Sequence, residues 1–368
     1  MSFSIPEYNH PDFKKEPFLS APNAKTSTVI KDGVAPSNYH STSIYPEYFK
    51  INGKWILAGE SRMDCVAVLK DNSFIDVKEF RRLEKGDKVI LGRSEDGNEG
   101  IYIHTSPFIY EKNKTNNQKF AFRTGESRET AFSKSYDNLY DLLKYEKEFG
   151  YIVWVLGPAV VFDYDSKTAM QRLIENGFAN AVFAGNALAT HDMEGSYLGT
   201  ALGQDIYTRI SSYNGHYNHI DIINKVREEG SIENFVNNSG IKNGVVYACV
   251  KNKIPLILAG SIRDDGPLPG VISDVYKSQD AMRFHLRKAT TVICLATMLH
   301  TIATGNMTPI YKVEKNRIRP VYIYTVDISE FAANKLRDRG TLEVTSIVTN
   351  VQDFIVNVAK NVIKKDSL

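Results

Sequence analysis

The chain has 368 residues, enough for one large domain or two ordinary ones, and its 42% hydrophobic and 24% charged content is ordinary for a soluble globular protein. Its 45 basic and 43 acidic residues give a formal charge of +2, which argues against a nucleic-acid-binding protein, because such proteins usually carry a basic face. No apolar run approaches the roughly 18 residues of a membrane span, and the N-terminus lacks the apolar core of a signal peptide. We therefore predict a cytoplasmic protein that binds neither nucleic acid nor membranes.

The three cysteines, Cys65, Cys249 and Cys294, are widely spaced and lie in apolar segments. These surroundings predict buried, reduced thiols rather than disulfides or reactive groups. The sequence contains no C-x-x-C spacing, so we predict no metal site.

The first 150 residues are dominated by short extended segments. Residues 1–30 are rich in Pro, Asn, Ser and Lys and show no period, which indicates an extended arm over the surface or against a partner subunit. Residues 31–120 alternate short apolar runs with turn signals, for example Lys88–Gly92 after Lys85–Asp87, and they predict a small β-rich domain. A helix is predicted over Ser135–Phe149, where leucines recur near helical spacing.

Residues 130–368 are predicted to form a Rossmann-like α/β domain with a doubly wound, mostly parallel sheet, because apolar strands alternate with helices. The predicted strands are Tyr151–Leu156, Ala181–Ala184, Ile254–Ala259, Thr291–Ala296, Val321–Val326 and Thr345–Val348. The predicted helices are one capped by Ser166 and ending at Gly177, then Asn218–Glu229, Ile241–Lys251, Ser278–Lys288, one reaching about Arg339, and Val351–Lys364.

Three glycines, Gly195, Gly199 and Gly203, recur at four-residue intervals. This spacing predicts one helical face that another element can approach closely, and packing within the chain is its simplest use. Together with the arm, this face indicates a homo-oligomer.

The predicted strand Ile254–Ala259 leads into a polar loop that contains Arg263, Asp264 and Asp265 among glycines and prolines. Ligands of open α/β sheets bind beyond the carboxyl ends of the strands, so these charges are expected in a crevice. Two adjacent carboxylates could hold a substrate amine, bind a ribose, or act as base and acid. The structural alternative is an ion pair within the loop together with capping.

The next predicted unit resembles a mononucleotide-binding βαβ unit. Thr291–Ala296 leads into Thr297-Met298-Leu299-His300, and Val321–Val326 leads into Asp327. Because G-x-G-x-x-G is absent, a pyrophosphate would be held by the backbone of residues 297–300 and a helix N-terminus. Asp327 is placed either to accept ribose hydroxyls or simply to cap a helix. The turn Gly185-Asn186-Ala187 could likewise bring a ligand close to the backbone, or be a tight turn alone.

The histidines give weaker signals. His191-Asp192 and the group His216, Asn218 and His219 follow strand or turn positions, where a histidine could shuttle protons, although structural roles are more common. In the β-rich domain, residues 40–46 and 62–65 could close over a substrate, or serve in ordinary turns and pairing.

Taken together, these motifs resemble the LOR/SDH-related family, which includes the archaeal-type ornithine cyclodeaminases and the C-terminal part of cyanobacterial bifunctional arginine dihydrolase/ornithine cyclodeaminases. The resemblance spans about residues 30–360. It rests on Gly157-Pro158-Ala159, Ala184–Ala189 with His191-Asp192, Leu258–Pro269, Gln279–Arg283, Leu295–His300 with Gly305–Met307, and, in the β module, Gly33–Pro36, His40, Tyr45-Pro46 and Arg62–Cys65.

The resemblance implies an NAD-dependent ammonia-lyase that converts the amino acid L-ornithine to L-proline and ammonia, with NAD used and regenerated in one turnover. Carried over by position, the NAD contacts would be Asn186, Ala187, Asp264, Thr297, Met298, Leu299, His300, Asp327, Asn350 and Val351. The catalytic charges would be Asp264, Asp265 and Arg263.

One departure from the family pattern is the segment Lys112–Arg128, which is longer and more polar than the resemblance leads us to expect. Such a segment could change the mouth of the substrate site, so the resemblance predicts the cofactor more closely than the substrate. The alternatives are an NAD-dependent enzyme acting on another amino acid or amine, and a non-catalytic regulator that binds NAD.

Overall fold

The fold is taken from a computed structural model that describes residues 3–71, 73–109, 131–314, 317–336 and 343–363. The segment Lys112–Arg128 lies outside these residues, as do the predicted helix ends at Arg339 and Lys364.

The N-terminal third of the chain is β-rich. Its strands are β1 (Glu7–Tyr8), β2 (Lys25–Thr28), β3 (Glu47–Ile51), β4 (Lys54–Leu57), β5 (Val66–Lys70), β6 (Phe74–Lys78), β7 (Lys88–Leu91), β8 (Ile101–Ile103) and β9 (Phe108–Ile109). They form a four-stranded sheet in the order β2-β7-β5-β6, a three-stranded sheet in the order β4-β3-β8, and a β1-β9 pair, all antiparallel. The apolar side chains that alternate along these strands, such as Phe49, Ile75 and Ile90, share one core.

The predicted N-terminal arm is partly built into this region. Strand β2 lies within the arm and pairs with β7, with Thr26 opposite Ile90, and Gly100 sits so close to the backbone at Ala24 that a Cβ there would lie 2.5 Å from the Ala24 nitrogen. The arm therefore contacts its own chain along much of its length.

The rest of the described chain is α/β. Its first half contains α1 (Ser133–Phe149), β10 (Ile152–Leu156), α2 (Tyr164–Glu175), β11 (Ala181–Gly185), α3 (Asn186–Leu198), β12 (Thr200–Ala201), β13 (Gln204–Asp205), α4 (Asn218–Glu228), α5 (Ile232–Asn238), α6 (Val245–Lys251) and β14 (Leu256–Ala259). Its second half contains α7 (Val275–Leu286), β15 (Thr291–Leu295), α8 (Met298–Met307), β16 (Tyr311–Glu314), β17 (Arg317–Pro320), β18 (Tyr322–Asp327), α9 (Glu330–Asn334), β19 (Val344–Val348) and α10 (Val351–Val362).

Six of these strands form one parallel sheet in the order β14-β11-β10-β15-β18-β19. If these six strands are numbered 1 to 6 along the chain, their order across the sheet is 3-2-1-4-5-6, which is the doubly wound order of dinucleotide-binding proteins. The predicted fold class, a Rossmann-like sheet preceded by a β-rich region, is confirmed. The order reverses between β10 and β15, and this is where such sheets open a ligand crevice at their carboxyl edge.

The central strands are buried on both faces because helices cover the sheet on both sides. Along β10, Ile152, Trp154 and Leu156 face the core that contains α1, α2, α6 and α10, whereas Val153 and Val155 face the core that contains α7 and α8. The Trp154 indole N–H donates to the Phe178 carbonyl oxygen at 2.7 Å, so its polar atom is satisfied within the core.

Residues 186–244 form an insertion between β11 and α6, which we call the cap. Helix α3 of the cap contacts the first turns of two crossover helices: Lys167 Nζ in α2 donates to Ser196 Oγ at 2.7 Å, and Val246 N in α6 donates to Asp192 at 2.7 Å. Because crossover helices begin at the carboxyl edge of a parallel sheet, α3 lies across that edge.

Two local predictions are wrong. The three glycines do not share a helical face, because α3 ends at Leu198, Gly199 (φ +72°) follows it in the left-handed conformation, and Gly203 (φ +74°) lies in the β12–β13 turn. Glycines at this spacing equally suit a helix end followed by a tight hairpin. Helix α2 is capped by Asp163, whose carboxylate accepts from Ser166 N at 3.0 Å, rather than by Ser166 itself. Helix α5 and the β16–β17 hairpin were not predicted.

The predicted burial of the cysteines is confirmed, since Cys65, Cys249 and Cys294 are buried free thiols. Burial raises the pKa of Cys65 and of Cys294 to about 12, so both are unreactive at neutral pH. In the described ranges, no helix is long and apolar enough to cross a membrane.

Candidate active site

The carboxyl ends of β10 and β15 meet closely at the point where the strand order reverses. A Cβ on Gly157, which follows β10, would lie 2.0 Å from the carbonyl oxygen of Ala296, so only glycine suits this position. Ala296 itself has a φ of +49°, a left-handed conformation that costs energy for a residue with a side chain. Backbone strain of this kind concentrates at functional sites.

Two helices begin at this edge without a side-chain cap. The residue before α3 is Gly185 and the residue before α8 is Thr297, and neither side chain accepts a hydrogen bond from a backbone N–H of its helix, although Thr297 Oγ1 bonds to the His300 ring at Nδ1, 3.1 Å away. The neighbouring helices α7 and α10, in contrast, are capped by Asp274 and Asn350. The first N–H groups of α3 and α8 and their positive dipole ends are thus available to an anion.

Three predicted residues from three strand ends converge between these helices. A Cβ on Gly185, beside Asn186, would lie 3.2 Å from His300 Cε1, and the charge of Asp264 acts on the His300 ring. Burial lowers the pKa of His300, and the charge of Asp264 opposes this shift without reversing it. The ring is therefore neutral at pH 7 and has a carboxylate nearby to stabilise its protonated form.

The loop that carries Asp264 is fixed at both ends. The Asp264 carboxylate accepts from Ser261 N at 2.9 Å, and Asn186 Oδ1 accepts from Leu268 N at 2.9 Å, which ties the loop to the start of α3. Asp264 thus caps its own loop, which is the capping part of the structural alternative that the sequence left open. A fixed loop also holds the carboxylate in one place relative to His300.

Two predicted catalytic residues are not brought into this cluster. The side chains of Arg263 and Asp265 are exposed, and within the described residues neither forms a side-chain hydrogen bond or ion pair. The ion pair considered for this loop is therefore absent from the described residues.

The predicted contacts Ala187, Met298 and Leu299 are exposed at the same edge, where they border the crevice. Their side chains are apolar, so they offer packing surface and backbone groups to a ligand rather than charge.

The remaining predicted cofactor residues lie beyond β15, where β18 and β19 end. Asp327 ends β18, and one of its carboxylate oxygens accepts from Ser329 N at 2.8 Å. Asn350 caps α10 by accepting from Gln352 N at 2.7 Å, and Gln352 Nε2 donates to the Ala159 carbonyl oxygen at 3.0 Å. This contact joins the start of α10 to the loop after β10. The side chain of Val351 is buried, so only its backbone can meet a ligand.

The adjacent residues His191 and Asp192 point in different directions and serve different purposes. Asp192 is buried, accepts from Val245 N at 3.0 Å, and lies 3.5 Å from Lys167 Nζ. Burial lowers the pKa of Lys167, and the nearby Asp192 charge opposes that shift. Asp192 therefore holds the cap to the sheet. His191 instead bonds through Nδ1 to Glu194 at 2.8 Å, a partner that the sequence analysis did not single out.

The β-rich residues considered as a substrate lid have pairing roles. Arg62 Nε donates to the Asn306 carbonyl oxygen at 3.2 Å, near the last residue of α8, and the guanidinium pairs with Glu79. Helix α8 has ten residues, about 15 Å. Arg62 therefore lies at the end of α8 away from the crevice. His40 is buried and bonds to Glu47 at 2.9 Å.

Within the described residues, no group of three or more His, Cys, Asp or Glu side chains is arranged to hold a metal ion. The uncapped starts of α3 and α8 and the carboxylate of Asp327 fit an organic ligand that carries phosphates and hydroxyls. The glycines at 157 and 185 let Ala296 and His300 approach closely, and the uncapped starts of α3 and α8 offer their N–H groups to the phosphates.

Comparison with known proteins gives matches over most of the chain. Residues 139–358 match the family described as Arginine dihydrolase ArgZ-like, C-terminal, Rossmann fold, and residues 46–131 match the first region of the same C-terminal part. An ornithine cyclodeaminase of Methanococcus maripaludis is 36% identical over 346 residues, which are 92% of this chain and 79% of the relative.

Two solved structures are also similar. The crystal structure of a conserved putative LOR/SDH protein from Methanococcus maripaludis has a TM-score of 0.82 and 35% identity, covering 93% of this chain and 98% of that one. The ternary complex of AgrE with ornithine and NAD+ has a TM-score of 0.58 and 33% identity, covering 93% of this chain and 46% of that one.

Proposed function

The chain belongs to the ornithine cyclodeaminase family that includes the C-terminal part of the ArgZ-like arginine dihydrolases, and on this premise we propose that it converts L-ornithine to L-proline and ammonia. It is an NAD-dependent ammonia-lyase. The observation that carries the proposal is the convergence of Asn186, Asp264 and His300 from three strand ends at the strand-order reversal, between two uncapped helix starts.

The described residues are suited to hold NAD across the crevice. The N–H groups at the starts of α3 and α8 would hold the pyrophosphate, and the carboxylate of Asp327 would accept a ribose hydroxyl through the oxygen that Ser329 leaves free. When bound, NAD supplies an acceptor for a hydride from the substrate Cα and returns that hydride within the same turnover.

The substrate brings two ammonium groups, and its α-ammonium must lose a proton before the Cα–H bond can break. Neutral His300 can accept this proton, and the Asp264 charge stabilises the resulting imidazolium. Asp264 also adds negative charge to a crevice that receives a dicationic substrate. Arg263 and Asp265, exposed on the same loop, are left with a role at the crevice mouth rather than in proton transfer.

The test is to incubate the purified protein with L-ornithine and a trace of NAD and to follow ammonia and proline. We expect both products in equal amounts with no net NADH. Turnover of another amino acid in place of ornithine would assign a different substrate. Bound NAD without turnover of any amino acid would favour the alternative of a non-catalytic regulator that binds NAD.

We also propose a role in proline biosynthesis, a cytoplasmic location, and a homo-oligomer. The oligomer is supported by the cap, whose side chains Tyr207, Ile210 and Tyr213 are 73%, 70% and 95% exposed. Contact with a second copy of the chain would bury these side chains. Light scattering of the purified protein tests this, and a mass of one chain would contradict it.

A further inference from the structure

We propose that His191, positioned by Glu194, is a second proton carrier of this site and moves a proton between the two amines of the substrate. The inference rests on the proposed function, because it assigns a step of the same reaction. His191 is a different residue from the pair Asp264 and His300: these two follow β14 and β15 in the chain, whereas His191 lies on α3, which follows β11.

His191 lies on the face of α3 that borders the crevice. Ala187, exposed at the crevice, and His191 are four residues apart in the helix and therefore lie on one face, about 5–6 Å apart. The ring of His191 also packs against Phe162, which follows the loop after β10, with ring centroids 5.4 Å apart. The residue thus stands above the carboxyl end of β10, beside the point where the strand order reverses.

Glu194 fixes the orientation of the histidine. Its side chain is fully buried, yet it accepts from Thr200 Oγ1 at 2.8 Å, from Gly203 N at 3.1 Å and from His191 Nδ1 at 2.8 Å. Burial acts to raise the pKa of Glu194, but these hydrogen bonds prevail and lower it, so the carboxylate is ionised. A carboxylate that receives the Nδ1 proton leaves the Nε2 lone pair of a neutral histidine as the acceptor.

The histidine is partly accessible rather than sealed in the core. Its side chain is 12% exposed, against 0% for Glu194. Among the residues that the structure describes, Nε2 of His191 has no hydrogen-bond partner, so this atom is available to a ligand. The charged and titratable groups facing His191 are Glu194 on its own helix and His219 on α4, whose ring centroid lies 6.2 Å away, while Lys167 on α2 acts on Glu194.

The chemistry needs such a group after the substrate has been oxidised to its imine. His191 Nε2 takes a proton from the δ-ammonium, and the freed lone pair attacks Cα to form the N–C bond of the ring. The imidazolium returns that proton to the α-nitrogen, and the bond from Cα to this nitrogen breaks as ammonia leaves. Before ammonia leaves, the ring nitrogen gives its second proton to water, and the lone pair that this frees forms the C=N bond of the cyclic imine.

The test compares His191→Gln with His216→Gln, a control at an exposed histidine of the same cap. We expect His191→Gln to lower kcat by about 10²–10⁴-fold. NAD affinity, the KM for L-ornithine and the thermal unfolding temperature should stay near those of the parent protein, and His216→Gln should keep full activity. Imidazole added to His191→Ala should restore part of the rate, which a purely structural histidine would not show.

Glu194→Gln gives an independent readout. Without the carboxylate that bonds to Nδ1 the ring loses its fixed orientation, so kcat should fall while the KM for L-ornithine and the affinity for NAD stay near those of the parent protein. If wild type forms proline but His191→Gln keeps its kcat, or loses it only together with stability and without imidazole rescue, the inference is overturned while the proposed function stands. A wild-type protein without activity on ornithine removes both.

Discussion

The β-rich region holds charged groups that are buried, and the carboxyl edge of the Rossmann sheet holds charged groups that are partly buried; the two regions use them differently. In the β-rich region, Asp87 contacts Lys70 at 2.5 Å and Lys78 at 2.8 Å, and the buried His40 contacts Glu47 at 2.9 Å. At the carboxyl edge, Asp264 accepts one hydrogen bond from its own loop, and Asp327 accepts one from Ser329 N. A charged side chain whose hydrogen-bonding atoms are all paired within the protein stabilises the fold. A charged side chain that keeps an unpaired oxygen can still bind a ligand.

The junction between the two regions follows the first pattern. Arg283 of α7 is buried and contacts Glu79 at 2.8 Å and also Glu60, both in the β-rich region. This cluster lies toward the ends of α7 and α8 that point away from the crevice. Changes there should act on stability, and changes at the carboxyl edge should act on turnover.

The largest effect is expected at Asp264. Asp264→Asn removes the charge beside His300 and should lower kcat by about 10²–10⁴-fold, the usual contribution of acid–base catalysis, while the protein stays folded. Asp265→Asn is the matched control, because its side chain is exposed on the same loop, and it should change kcat only a few-fold. Steady-state kinetics with circular dichroism would check this, and equal losses in both variants would contradict the separation of the two carboxylates.

The next effect is expected at the junction. Arg283→Met leaves two partly buried carboxylates with fewer partners and should lower the free energy of unfolding by about 3 kcal/mol. Asp280→Asn, which breaks exposed pairs with Arg81 and Arg82, should cost less than about 1 kcal/mol. Urea denaturation measures both. A stable Arg283→Met protein with impaired turnover would reverse the assignment of this cluster.

A smaller effect is expected at Asp327. Asp327→Ala should weaken NAD binding by about 1–3 kcal/mol, because a ribose hydroxyl loses its partner. If the residue only caps the helix, stability alone should fall. Affinity for NADP separates the two readings, since removal of the carboxylate should favour NADP relative to NAD only if it faces the ribose. Calorimetric titration with both nucleotides gives the ratio.

The smallest effect concerns acid stability of the β-rich region. Burial acts to raise the pKa of Asp87, but hydrogen bonds from Lys70 and Lys78 prevail and lower it to about 2. Since the unfolded value is near 4, this contribution is present above about pH 4 and is lost as the pH falls toward 2. We expect about 1 kcal/mol, reduced by solvent around the partly exposed Lys70.

Asp87→Asn should flatten the stability curve over this acid range. Denaturant unfolding at several pH values measures the slope. A slope between pH 4 and 2 that is the same in both proteins would exclude Asp87 as its source.

The sequence predicted most of what depends on local pattern. Apolar runs such as Tyr151–Leu156 and Thr291–Ala296 identified the strands, and the glycine, asparagine and aspartate residues that follow them identified the edge that carries the site. The signals succeeded because a buried parallel strand must be apolar throughout and must end in a turn.

What the sequence did not show depends on long-range contacts. Nothing near His191 indicates that Glu194 would be sealed by Thr200 and Gly203, although the i, i+3 spacing of histidine and glutamate was visible. The separation of Asp264 from Asp265 was likewise hidden, because it depends on which carboxylate turns back to Ser261. The spacing of Gly195, Gly199 and Gly203 gave a wrong prediction of one helix face, because the last two glycines lie at a helix end and in a hairpin turn.

The most direct test of the central claim, that one site at the carboxyl edge oxidises and reduces the same carbon, uses L-ornithine deuterated at Cα with a trace of NAD. We expect proline that retains the deuterium at Cα, one ammonia for each proline, and no accumulation of NADH. Proline without the label, or NADH formed in step with ammonia, would contradict a hydride that is taken and returned within one turnover.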